Sequence, residues 1–172
     1  MLENVFDVVC GEYTSTDFIL TSTGNIVSRT VKMCKPQQIE IPSGKCIMKA
    51  NVIIRGDFAP VQINRYTMIE ENTVIRPPYI MTSGQFRFIP LTIGKNTFIG
   101  ADCVIESACI GVGCYIGKGC VLSKRCILKD YVVVDEGTVI PPDMVIPPFS
   151  IVSGQPAKIV GEMPPSTPTA AE

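Results

Sequence analysis

The 172 residues carry 15 Lys and Arg against 16 Asp and Glu, with no histidine and a formal net charge of −1. That length supports one domain with a buried core, and the balance excludes the basic footprint of a nucleic-acid binder. No apolar run reaches a bilayer span, and the opening "MLENVFDVVCGEY" lacks a signal-peptide core, so a soluble intracellular protein without direct membrane insertion is expected.

Residues 1–40 alternate only loosely, as in "YTSTDFILTSTGNIVSRTVKM", and read as an irregular N-terminal coil or cap. From residue 41 a six-residue beat sets in: "IMKANV", "IIRGDF", then "INRYTM" and "IEENTV". It resumes as "IGKNTF", "IGADCV", the short "IESAC", "IGVGCY", "IGKGCV", "LSKRCI", "LKDYVV", "VDEGTV", "IPPDMV" and "IPPFSI". A period of six fits neither a helix nor a long strand; it fits a short strand followed by a corner, repeated.

The fourth position of a unit holds Asn72, Asn96, Asp102, Gly113, Gly119, Gly137 or Asp143, residues that tolerate a left-handed backbone. Tyr66, Arg125 and Tyr131 are the exceptions there. The fifth position holds Thr67, Thr73, Thr97, Cys103, Cys109, Cys114, Cys120, Cys126, Val132 or Thr138, small side chains that point inward beside a corner. The cysteines are therefore read as free thiols filling a narrow core, with Cys103 stacked on Cys120 and Cys109 on Cys126. Disulfides do not suit a reducing compartment. The five cysteines from Cys103 to Cys126 form no CxxC pair, so no metal or other cofactor is expected.

Two stretches break the beat. "FAPVQ" lengthens one unit, and residues 77–90, "PPYIMTSGQFRFIP", leave the repeat at prolines that cannot donate ladder hydrogen bonds. The excursion reads either as a disordered insertion or as a contact surface, and on the second reading Tyr79, Phe86, Arg87 and Phe88 are candidate partner contacts, because aromatic groups and arginine dominate binding hot spots. Arg55, Asp57 and Arg76 are candidate organisers of coil corners or an interface. The repeats run over 41–160, and 161–172 reads as a flexible Pro/Ser/Thr tail.

Three units would make one triangular coil. The pattern resembles the hexapeptide-repeat families, which implies an all-β, single-stranded left-handed parallel β-helix shaped as a triangular prism. "NVIIRGDFAPVQINRYTMIEENTVIR" also resembles the γ-class carbonic anhydrases, in which the residues matching Arg55 and Asp57 organise a trimer interface. That class holds zinc with three histidines and the acyltransferases of this fold use a histidine base, so either chemistry stands only as an alternative reading.

"TSTGNIVSR", "VIRPP", "RC.LKD", "TV.PP..V.PPF" and "SG.P" together resemble the dynactin subunit 5 family over most of the chain. The resemblance implies a non-catalytic part in the pointed-end complex and in dynein-driven transport, including endosome movement. It implies a cytoplasmic, cytoskeleton-associated protein. The partners it implies are a second left-handed β-helix (subunit 6), an actin-related protein, the large pointed-end subunit and cargo adaptors.

Overall fold

A computed structural model describes residues 16–42 and 44–164. Each six-residue unit contributes one short strand, and every third strand falls on the same side, so the chain winds into a prism with three parallel faces. The first face runs through Ile26–Ser28, Ile47–Met48, Met68–Ile69, Phe98–Ile99, Tyr115–Ile116, Val133–Val134 and Ser150–Ser153. The second holds Lys32–Cys34, Ile53–Arg55, Val74–Ile75, Val104–Ile105, Val121–Leu122 and Val139–Ile140. The third holds Ile39–Glu40, Val61–Ile63, Leu91–Ile93, Cys109–Ile110, Ile127–Leu128 and Val145–Ile146. Antiparallel strands Phe18–Leu20 and Lys158–Glu162 border the first face at its two ends.

The repeat therefore begins earlier than residue 41: strands from Ile26 onward already form a complete coil in register with the next. At the other end Gly161 and Glu162 belong to a strand, and residues 165–172 of the expected tail lie outside the described residues.

The first residue of each unit points inward. Ile54, Ile69, Ile75, Ile93, Ile99, Ile105, Ile116, Leu122 and Ile140 have no exposed surface and stack as a single aliphatic core. Coils approach closely where glycine follows the inward residue: a Cβ on Gly100 would lie 2.7 Å from the Lys118 nitrogen. The fourth-position residues take positive φ, and so do the three exceptions, at 60° for Tyr66, 63° for Arg125 and 58° for Tyr131. The corner dictates the backbone and the side chain has to accept it, at a cost near 1–2 kcal/mol for a residue other than glycine.

The small fifth-position side chains do more than fill space. Thr73 donates its hydroxyl to the Gly100 carbonyl at 2.8 Å, and Thr97 donates to the carbonyls of Gly94 and Gly111 at 2.8 and 3.1 Å. Cys103, Cys114 and Cys120 turn their thiols toward the carbonyls of Gly117, Lys129 and Asp135 at 3.2, 3.2 and 3.0 Å. Each donor satisfies a corner carbonyl of the following coil, a group with no strand partner of its own. A threonine or cysteine is small enough to fit and polar enough to donate.

One placement differs from the sequence expectation. Cys103 does align with Cys120, since Val104 pairs with Val121. Cys109 instead pairs with Thr92 and Ile127, outward on the third face, and is half-buried. The unit "IESAC" lacks the left-handed corner residue, since none of its positions has positive φ, and the buried Ser107 is its small inward side chain.

Candidate functional site

The excursion at 77–90 is a β-hairpin. Tyr79–Thr82 pairs antiparallel with Gln85–Phe88, and the two-residue turn Ser83–Gly84 has φ of 51° and 76°, the twist a tight hairpin needs. Tyr79 opposes Phe88 and Met81 opposes Phe86, so these four share one hairpin face.

An isolated two-stranded hairpin is marginal in water. This one is held on the prism edge between the second and third faces. Phe88 stacks on Phe58 with centroids 4.8 Å apart and planes 5° from parallel, and the Tyr79 ring meets Phe88 edge-on at 6.0 Å. Farther up the same edge, Lys124 donates to the Tyr79 hydroxyl at 2.6 Å and lies over its ring, and Arg125 donates to the Tyr79 carbonyl. Arg125 also makes a paired contact with Asp143 at 2.7 and 2.9 Å. The shortened corner of "IESAC" lies in the coil between Tyr79 and Lys124.

All seven candidate residues fall on this edge. Arg55 and Asp57 form a two-bond ion pair at 2.9 and 2.8 Å within one corner, and the Arg55 guanidinium lies 4.3 Å from the Phe58 ring centroid. Arg76 faces Glu106 of the next coil at 3.8 Å. Tyr79 and Phe88 lie against the prism, with Phe88 still 37% exposed, whereas Phe86 and Met81 overhang the edge at 61% and 58% exposure. Arg87 sits on the opposite hairpin face from them. Sequence reading missed Phe58, Lys124 and Asp143. Arg125 carried a signal, since a long cationic side chain in a left-handed corner position marks a site where something outweighs strain.

The chemistry available here is that of binding. Asp57 and Asp143 are held below the usual carboxylate range by their hydrogen bonds to Arg55 and Arg125. Both arginines are correspondingly raised. Among the inward thiols, burial pushes Cys114 up to about 11 and Cys126 up to about 12, whereas the contact between Cys103 and Cys120 raises Cys103 and lowers Cys120 to about 7. Among the described residues no three His, Cys, Asp or Glu side chains gather as a metal site. A cleft of about 540 Å³ near Leu20, Ile26, Ile47, Tyr66 and Met68 has Lys45 as its ionised wall residue.

These features define a class, the hexapeptide-repeat proteins with a left-handed parallel β-helix. The PerB protein of Caulobacter crescentus, solved with CoA and GDP-perosamine, superposes with a TM-score of 0.64 at 17% identity, covering 80% of this chain and 57% of that one. A hexapeptide transferase family protein from Anaplasma phagocytophilum gives 0.57 at 20% identity over 86% and 84% of the two chains. At such identities the likeness is one of fold. Within that class the chain belongs to the dynactin subunit 5 family, whose profile matches residues 8–170. Dynactin subunit 5 of Dictyostelium discoideum is 42% identical over 94 residues, 55% of this chain and 47% of that protein. The matched stretch thus spans about half the length of this relative.

Proposed function

We propose that the chain is a non-catalytic subunit of the dynactin pointed-end complex that supports dynein-driven transport in the cytoplasm. The observation carrying this reading is the family match over 8–170, nearly the whole chain. The absence of histidine removes the groups on which the zinc triad and the histidine-base chemistry of related folds rest. No described helix is long and apolar enough to cross a membrane. The partners in this reading are the second β-helix subunit, the actin-related protein, the large pointed-end subunit and cargo adaptors. The edge built from Arg55 to Asp143, with Phe86 and Met81 overhanging, is the contact surface assigned to adaptors.

The test is capture of a tagged chain from cells, with identification of what accompanies it. Dynactin filament and pointed-end subunits should be recovered, and their absence would end the proposal. Replacing Met81 and Phe86 with serine should preserve the melting temperature and dynactin recovery while weakening adaptor association. Phe88 is unsuited to this experiment because it is stacked on Phe58. Normal adaptor association in the double variant would remove the hairpin from the contact surface.

A further inference from the structure

The inward column at the corner between the first and second faces reads Val52, Thr73, Cys103, Cys120 and Thr138, one residue per coil. Cys103 and Cys120 are neighbours in it. Among the described residues no other two cysteines adjoin in this way. Cys46 lies beside Thr67, Cys114 between Thr97 and Val132, and Cys126 beside Ala108 and Met144.

Adjacent parallel strands set the Cα atoms of such a pair about 4.8 Å apart, within the roughly 4.4–6.8 Å span of disulfide-bonded cysteines. The Cys103 thiol already leans toward its neighbour's coil, donating to the Gly117 carbonyl at 3.2 Å. Cys120 donates one coil onward, to the Asp135 carbonyl at 3.0 Å. Joining the two sulfurs therefore requires Cys120 to rotate about its Cα–Cβ bond and give up that carbonyl.

Both side chains are fully buried, yet the corner over Cys120 is thinly covered. It consists of Gly117, Lys118 and Gly119, and its one side chain, Lys118, is exposed. A Cβ on Gly119, or on Gly137 in the next coil, would meet nothing within 4 Å. At Cys114 the corresponding Gly113 lies under the Tyr131 ring, 2.6 Å from where a Cβ would stand. Cys120 lacks that aromatic roof, so local opening of a glycine corner suffices to admit a small oxidant. The contact between the two thiols lowers Cys120 and raises Cys103, which makes Cys120 the one that ionises first.

We propose that Cys103 and Cys120 form a modification site at which a hydroperoxide closes a disulfide between two consecutive coils. The Cys120 thiolate attacks one peroxide oxygen, the O–O bond breaks, and the hydroxide released takes up the proton that Cys120 had lost. Cys103 then attacks the sulfur of the resulting Cys120 sulfenic acid, whose hydroxyl leaves as water with the Cys103 proton. The two thiols give up two electrons, and one peroxide becomes two waters. Parallel side chains hold the two Cβ atoms about as far apart as the Cα atoms, beyond the roughly 3.5–4.5 Å of a relaxed disulfide. The bond is therefore strained, and small thiols reopen it by exchange. The site goes beyond the pointed-end reading and does not rest on it.

Peroxide treatment of the folded, purified full chain, followed by alkylation in denaturant and peptide mapping, tests this. Cys103 and Cys120 should be recovered joined to each other, and as free thiols again after dithiothreitol. Cys103→Thr and Cys120→Thr are the matched variants, since Thr73 and Thr138 occupy the same column. In Cys103→Thr, Cys120 should persist as a sulfenic acid that dimedone captures. In Cys120→Thr, capture at Cys103 should be roughly tenfold slower.

Thermal unfolding run alongside shows that each variant is folded, and should either fail to fold, the map of the parent chain decides alone. Both thiols recovered free from the peroxide-treated parent would overturn the proposal. So would either one joined to a third cysteine, or dimedone capture at Cys103 as fast as at Cys120.

Discussion

Replacing Thr73 with valine isolates the role of the corner donors. Thr73 has no exposed surface, and its hydroxyl donates to the Gly100 carbonyl at 2.8 Å. Valine has nearly the same shape, so no cavity forms and no new contact is forced. What changes is that a buried carbonyl loses its donor and the hydroxyl is replaced by a methyl group. The cost of an orphaned buried acceptor is about 1–3 kcal/mol. For a chain of this size each kcal/mol moves the melting temperature by about 2–4 °C.

Two comparisons separate this from packing. Thr73→Ser keeps the donor and removes one methyl group, worth roughly 0.8 kcal/mol. Thr73→Cys keeps a weaker donor, as already found at Cys103 and Cys120. Urea unfolding should place stability in the order threonine, serine, cysteine, valine, with the dependence on denaturant unchanged. A valine variant as stable as the parent would refute the idea that these side chains hold successive coils together through their carbonyls.

At Tyr66, whose φ is 60°, glycine should be more stable than alanine by about 1 kcal/mol in thermal unfolding, since only alanine keeps the left-handed strain. Both lose the ring, so the comparison reads the backbone alone. Ile116→Ala should cost about 2–5 kcal/mol and Lys118→Ala no more than about 0.5 in the same assay, because one residue is core and the other faces water. The Arg125–Asp143 pair lowers the Asp143 pKa, so its contribution is complete above the ordinary carboxylate range and fades as pH falls through the lowered value. Protection of the hairpin amides, taken relative to their intrinsic exchange rates, should fall on acidification through that range, and Asp143→Asn should lower it already at neutral pH and flatten that acid limb.

The prism was legible because its demands recur. Each coil needs an inward aliphatic residue, a corner that tolerates positive φ and a small residue beside it, and the same letters return every six positions. Tyr66, Arg125 and Tyr131 looked irregular only because their propensity opposes what the corner imposes. Cys109 was misassigned because a five-residue unit does not declare which of its positions is missing; pairing with Thr92 and Ile127 does. The hairpin carried its turn signal in "TSGQ", yet its seat could not be read. Lys124 and Arg125 lie 45 and 46 residues from Tyr79, and only the winding of the coils brings them to the same edge.

A stack of coils is ordinarily a one-dimensional object in which each rung feels only its immediate neighbours, so unravelling can start at an end and travel rung by rung. The hairpin breaks that rule. It grows from the coil of Val74, leans back on Phe58 one coil below and is gripped by Lys124 and Arg125 two coils above. Melting any one of these rungs releases the hairpin from the others, so the free energies of non-adjacent coils become linked. Fraying that enters from the N-terminal end meets a cooperative block at the coil of Phe58, and amides from there to Arg125 should exchange together rather than in sequence.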